Sequence, residues 1–254
     1  MRSPLTGRPL RNPGESGQQR LQDLFDNQVM PYMLAATLAS GLALLEWIHW
    51  LNESPPTPII FSMIAVLSIL VCGVKLRLAA REARNIKLGR DGEKAVGQFL
   101  ERLQEQGAQI FHDVPGTSFN VDHVVIHGTG VYVIETKTLS KPDRGKCRLV
   151  YDGQSVRRNG RPFDRNAIDQ VRAESHWISD LLAESTGKKP PVRPVVVYPG
   201  WFIDRTVAAK SSEVWVLEPK ALPAFIAQSR AQMTAQDVKL FSFHLSRYIR
   251  SALA

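Results

Sequence analysis

Two apolar runs separated by only a few residues constrain this chain more than anything else in it. The first, VMPYMLAATLASGLALLEWIHWL from Val29 to Leu51, carries one acid, Glu46, and one histidine, His49. The second, IIFSMIAVLSILVCGVKLRL, starts at Ile59 and stays uncharged to Val74. Tyr32 and Trp50 stand about 27 Å apart on a helix, which matches the hydrocarbon thickness with an aromatic ring at each interface. The second run is somewhat short, and snorkelling of Lys75 and Arg77 extends it. A soluble helical hairpin would show a polar stripe every three or four residues, and neither run does. A signal peptide is disfavoured, because a long polar segment precedes the first run and a second apolar run follows it.

Residues 29–79 are therefore expected to form a transmembrane helical hairpin, integral to a prokaryotic inner or plasma membrane. The connecting loop has no Lys or Arg, whereas Arg2, Arg8, Arg11 and Arg20 precede the first helix and Lys75, Arg77, Arg81, Arg84, Lys87 and Arg90 follow the second. Positive flanks stay on the cytoplasmic side, so both termini are expected there. Residues 1–28, rich in Pro, Gly, Arg, Ser and Gln, read as a disordered or loosely held basic tail. With only Cys72 and Cys147 present, a disulfide framework is not expected.

Residues 80–254 read as one domain. A helix from about 76 to 106 is expected, loosened at Gly89-Arg90-Asp91-Gly92, with Ala95, Val96, Phe99, Leu100 and Leu103 as its apolar stripe. Strands follow at Ala108 to Asp113 and in VDHVVIHGTGVYVIETK, Val121 to Lys137. CRLVY, QSVRR and RPF, divided by Asp152-Gly153 and Asn159-Gly160, form a further hairpin. A helix from Asn166 to about Leu182, strands at Val192 to Tyr198 and Ser212 to Leu217, and a helix from Thr234 to Ile249 complete an α/β arrangement with a mixed central sheet.

The chemistry concentrates on Val121 to Lys137. In a strand, alternate residues share a face, so Val131, Val133, Glu135 and Lys137 line one side. If the Gly-Thr-Gly turn closes with an even number of loop residues, Asp122 lies directly opposite Glu135, Cβ atoms roughly 4.5 to 5.5 Å apart. Two facing carboxylates need something positive between them, either a divalent metal or the Lys137 ammonium. Magnesium takes such a minimal set with waters and substrate phosphates, and Glu93 is a possible third ligand or only a partner for a helix dipole. His123 and His127, roughly 13 Å apart on a strand, form no metal site and read as surface or packing residues.

The chain carries a net charge of +8, which suits an anionic partner, nucleic acid or an anionic lipid surface. Lys141 to Arg172 holds nine Lys or Arg against four Asp or Glu. Lys141, Arg144, Lys146, Arg148, Arg157, Arg158 and Arg161 are the candidates there for contact with phosphates.

Gly92-Glu93, Val121-Asp122-His123-Val124-Val125-Ile126, Gly130 to Lys137 and Asn166-x-x-x-Gln170 together resemble the nuclease-related domain, NERD, of the PD-(D/E)xK superfamily. The resemblance covers roughly residues 85 to 200 and implies a restriction-endonuclease-like fold, with Asp122 and Glu135 as ligands of Mg (or Mn) and Lys137 as the catalytic lysine. It further implies that Glu93 is the acidic residue of the preceding helix and Gln170 the glutamine of the following one. Ala167 replaces the family's usual proline. The function these features imply is a membrane-anchored, cytoplasm-facing, metal-dependent nuclease acting on DNA. The alternatives are a non-catalytic nucleic-acid-binding or scaffold module at the membrane, and a protein-binding domain whose basic residues face lipid.

Overall fold

The computed structural model describes residues 10–51, 58–141 and 147–253. The expected inter-helix loop, Arg144, Lys146 and the start of the tail lie outside the described residues. The chain divides into two compact units, one of residues 17–87 and one of residues 88–254 with the segment ahead of Gly17.

In the first unit α1 (Glu15–Leu24) leads through a π-helical stretch, Phe25–Val29, into α2 (Met30–Leu51), and α3 (Pro58–Glu101) follows. Its residues are distributed the opposite way to those of a water-soluble bundle. Leu34, Leu38, Leu44, Ile59, Met63, Leu67 and Leu70 are all at least 60 % exposed, whereas Ala36, Ala43, Ala65 and Cys72, small residues, are buried, and Leu24, Val29 and Ala79 form a small cluster at one end. Small residues let helix backbones approach closely, and large apolar residues facing outward require an apolar surround. Hydroxyls are satisfied locally: Thr37 donates to the Met33 carbonyl at 2.8 Å and Ser40 to the Ala36 carbonyl at 2.7 Å. Both helices are long and apolar enough to cross a membrane.

Gly89-Arg90-Asp91-Gly92 does not loosen the helix, because α3 runs unbroken through it to Glu101 before a 3₁₀ stretch, Arg102–Gln106. A glycine costs a helix about 1 kcal/mol, and packing outweighs it here. A Cβ on Gly92 would stand 1.7 Å from the Thr138 Oγ1, so this glycine is what lets α3 lie against the chain leaving the third strand.

The second unit is built on a five-stranded sheet in the order β1-β2-β3-β7-β9. Its strands are β1 (Gln109–Pro115), β2 (Asn120–His127), β3 (Gly130–Thr136), β7 (Val192–Val197) and β9 (Trp215–Leu217). β1, β2 and β3 pair antiparallel, while β3, β7 and β9 run parallel. The sheet is covered on both faces. Val124, Ile126, Val131 and Val133 meet α4 (Arg165–Thr186) and α7 (Ala235–Ala252) through Ile168, Val171, Phe241 and Leu245. Val125, Tyr132 and Ile134 meet Val96 and Leu100 of α3 and Leu222 and Ile226 of α6 (Leu222–Gln228). This is the mixed α/β, nuclease-like class that the sequence implied.

A smaller sheet, in the order β6-β5-β4-β8, holds β4 (Arg148–Tyr151), β5 (Val156–Arg158), β6 (Arg161–Asp164) and β8 (Phe202–Arg205). Asn159 and Gly160 both take positive φ, 52° and 78°, as a two-residue primed turn requires. β8 departs from the expected element order, since it pairs in parallel with β4. A short helix, α5 (Val207–Lys210), follows it.

The reading of residues 1–28 as a loose tail is corrected for the part described. Arg11 is buried, with its Nη2 2.9 Å from Asp113 Oδ2, and α1 begins at Glu15. The ordering comes from a distant strand that supplies a counter-charge, which composition alone does not reveal.

Candidate active site

The site forms where β3 ends. His127 faces Gly130 across a two-residue turn, and the ladder runs regularly to His123 opposite Ile134. One more step sets Asp122 opposite Glu135, the arrangement expected for an even loop. The Asp122 Oδ2 accepts the Thr136 N–H at 2.7 Å, which holds its carboxylate at the end of β3.

Glu135 is 4 % exposed, and its Oε1 lies 2.8 Å from Lys137 Nζ. Lys137 Nζ also donates to Gln170 Oε1 at 2.9 Å, and Gln170 Nε2 donates to Glu174 Oε1 at 2.8 Å. Gln170 and Glu174 stand one turn apart on the face of α4 that covers the sheet. The docking of α3 through Gly92 brings Glu93 close enough for its charge to act on Asp122. The structure thus assembles Glu93, Asp122, Glu135, Lys137 and Gln170, and it adds Glu174.

Burial pushes the Asp122 carboxyl well above the usual carboxylate range. The charges of Glu135, Glu93 and Glu174 push the same way, and the Thr136 N–H opposes them. Burial, then the charge of Glu135, raises Glu174 to about 8 against the Gln170 hydrogen bond and the Lys137 charge. Among the described residues Glu135, Glu93 and Glu174 thus all act on Asp122, while Lys137 pairs with Glu135 and acts on Glu174, a distribution that accommodates a cation. The donors are hard carboxylate oxygens, which suits Mg or Mn and not zinc. Among the described residues no group of three or more His, Cys, Asp or Glu is arranged to hold a metal ion. The facing pair Asp122 and Glu135 has the donor chemistry of a two-carboxylate magnesium site.

Glu174 was not singled out in the sequence. The signal was a carboxylate inside the apolar stripe of α4, between Val171 and Ile178 and four residues after Gln170. Such a residue must be buried, so it needs a partner or a purpose.

The described basic candidates have neighbours of their own. Arg148 pairs with Asp204, Arg157 Nε lies 2.9 Å from Asp152 Oδ2, and Arg158 stands over the Trp201 ring at 4.9 Å. Arg161 is exposed on β6, and the exposed Lys141 approaches Gly200. His123 is fully buried and shares a 2.8 Å Nδ1–Nδ1 hydrogen bond with His112, while His127 bonds to Thr129. Both are packing groups.

Residues 88–199 match the nuclease-related domain family, NERD. The chain is also similar to an uncharacterised protein of Bacillus anthracis, at 39 % identity over 19 % of this chain and 26 % of that one. It thus spans about a quarter of that relative's length. Among solved structures, Pyrococcus furiosus SfsA in complex with Ca2+ is similar over 49 % of this chain and 52 % of that one, at 18 % identity and a TM-score of 0.24. Glu93, Asp122, Glu135, Lys137, Gln170 and Glu174 all fall inside the family match, and residues 88–199 of this chain are a nuclease-related domain.

Proposed function

We propose that the protein is a membrane-anchored nuclease, its catalytic domain facing the cytoplasm, which hydrolyses phosphodiester bonds of DNA with Mg or Mn. The observation that carries this reading is the clamp on Lys137, whose ammonium bridges Glu135 and Gln170 beside a second, facing carboxylate, Asp122. Asp122 and Glu135 would hold the metal, with Glu93 beside them, and the metal would supply Lewis acidity and a water of lowered pKa. Lys137 orients the attacking water and stabilises the charge that develops on phosphorus. Gln170 fixes the Lys137 ammonium, and Glu174 fixes Gln170, so the lysine reaches the reaction already aligned. The smaller basic sheet holds the DNA backbone.

A second reading, a nucleic-acid-holding module without chemistry, draws on the same clamp, because Lys137 already occupies Glu135 Oε1, one of the oxygens a metal would take.

The test is cleavage of linear, circular and single-stranded DNA by the full chain in detergent, with Mg, Mn or a chelator. Lys137→Ala is expected to lower the rate by about 100- to 1,000-fold, the effect of losing one charge-stabilising donor. Cutting that survives unchanged in Lys137→Ala and Glu135→Ala would sink the catalytic reading. Salt-sensitive retention without cutting would favour the holding module. A reporter inserted after Pro56 belongs outside the cytoplasm on this topology, and a cytoplasmic signal there would overturn it.

A further inference from the structure

Three parallel strands, β3, β7 and β9, end along one edge of the larger sheet, with Thr136 level with Val197 and Val197 level with Leu217. The candidate active site occupies only the end of β3. The chain leaving β7 turns at Gly200, φ 74°, and enters β8, while the chain leaving β9 passes Glu218 and a 3₁₀ turn into α6. Between them lies a cleft of about 490 Å³, lined by Trp201, Phe202, Arg205, Glu218, Lys220 and Phe225 among others.

The chemistry of this cleft is specific. Phe202 is 64 % exposed, and the Arg148 guanidinium lies 5.8 Å from its ring centroid; Arg205 lies 4.7 Å from that of Phe225. Trp201 is 1 % exposed, and its Nε1–H is buried without a hydrogen-bond partner among the described residues. The nearby carboxylates are already engaged, Glu218 with the Lys220 N–H at 3.0 Å and Asp204 with Arg148. An open aromatic ring, Phe202, among guanidinium groups suits a ligand with a flat π-face and negative charge. An unpaired nucleotide has both, whereas a duplex hides its base faces by stacking.

We infer that this cleft is a stacking subsite for an unpaired base of a single-stranded nucleic acid. β9 lies two strand spacings from β3, about 10 Å, so one strand can reach both the site and the cleft. The inference rests on the nuclease reading for the subsite's place relative to a cut bond, and not for the binding itself.

The experiment measures binding of fluorescein-labelled 12-residue oligodeoxynucleotides to the full chain in detergent, by anisotropy in a chelator so that no cutting occurs. The probes are a normal single strand, the same strand with abasic sites throughout, and a duplex. The normal strand is expected to bind about tenfold more tightly than the abasic one, the discrimination one stacked base provides. Phe202→Ala should bring the normal strand to the abasic level and leave abasic binding unchanged, while Phe202→Trp retains the preference. Equal affinity for normal and abasic strands, or a Phe202→Ala loss that is the same for both, overturns the subsite. Base-dependent binding in a protein that never cuts DNA supports the subsite and counts against the nuclease reading alone. Metal-dependent cutting with base-independent binding does the reverse.

Discussion

Asp122 and His123 are neighbours in the chain, yet they belong to two buried polar clusters on opposite faces of β2 that obey opposite electrostatic rules. On one side Glu135, Glu93 and Glu174 act on Asp122, and Lys137 pairs with Glu135. On the other, the His112–His123 pair sits beside the Arg11–Asp113 ion pair, and Asp113 also accepts the Ser16 N–H at 2.7 Å. The ladder skips Asp113, whose φ of 50° is tolerated by aspartate and turns it out of the regular register that would oppose it to Asp122. Burial holds both histidines below their usual pKa, His112 at about 4, so they pack as neutral rings. In the second cluster a guanidinium pairs the buried carboxylate, whereas in the first several acidic groups raise one another's pKa. Mutually perturbed acidic groups of this kind are what the nuclease reading proposed above would use.

The sharpest way to break this comparison is to remove one charge from each side. Arg11→Ala leaves the Asp113 carboxylate buried without its partner and is expected to cost about 3–5 kcal/mol of unfolding free energy, read by urea denaturation. Gly92→Ala comes next. Its methyl group collides with Thr138, so a loss of about 1–3 kcal/mol is expected, with Glu93 displaced from the site. The double change Gly92→Ala with Thr138→Gly should recover most of that loss, and failure to do so would remove helix docking as the cause. Asp122→Asn is the matching change on the acidic side. Its amide oxygen can still accept the Thr136 N–H, and repulsion from Glu135 is relieved. Stability is expected to stay within about 1 kcal/mol of the parent or to rise, while cutting is lost. A destabilisation equal to that of Arg11→Ala would erase the distinction between the clusters.

How much of this was legible in the sequence depended on the range of the interaction. The register that faces Asp122 to Glu135 is local, set by a period of two and a two-residue turn, and so it could be read. α4 and α7 were legible through their apolar stripes, as was the position of Gln170. β8 was not, because four residues, FIDR, become a strand only by pairing with β4, far away in the chain. The order of residues 10–16 depends on Asp113, 97 residues from Ser16. The unbroken α3 reflects packing at Gly92 that overrides local propensity. Glu174 was readable in principle, but a lone glutamate on a helix passes for a solvated residue unless its place in the stripe is noticed.

The smallest expected effect tests both clusters at once, because their contributions to stability oppose each other as pH changes. His112 takes up a proton at about pH 4 when folded but near 6.5 when unfolded. Its contribution to stability is therefore complete above 6.5 and falls away as pH drops toward 4. Glu174 keeps its proton to about pH 8 when folded but releases it near 4.5 when unfolded, so its contribution falls as pH rises between those values. Asp122, raised in the same direction, adds to the second slope. Between about 4.5 and 6.5 the two slopes offset each other, and above 6.5 only the carboxyl slope remains. In a chelator the melting temperature is thus expected to be nearly flat across that interval and to decline from 6.5 toward 8. Glu174→Gln should lessen the alkaline decline, and His112→Gln should expose a fall with rising pH between about 4.5 and 6.5 where the parent is flat, the slope being the readout and not the level. Adding Mg should flatten the alkaline limb alone, since a cation among the carboxylates favours their charged forms and leaves the neutral histidines untouched. An alkaline limb that ignores both Mg and Glu174→Gln would mean that the carboxylate crowding carries no energetic weight, and the contrast between the two faces of β2 would fail.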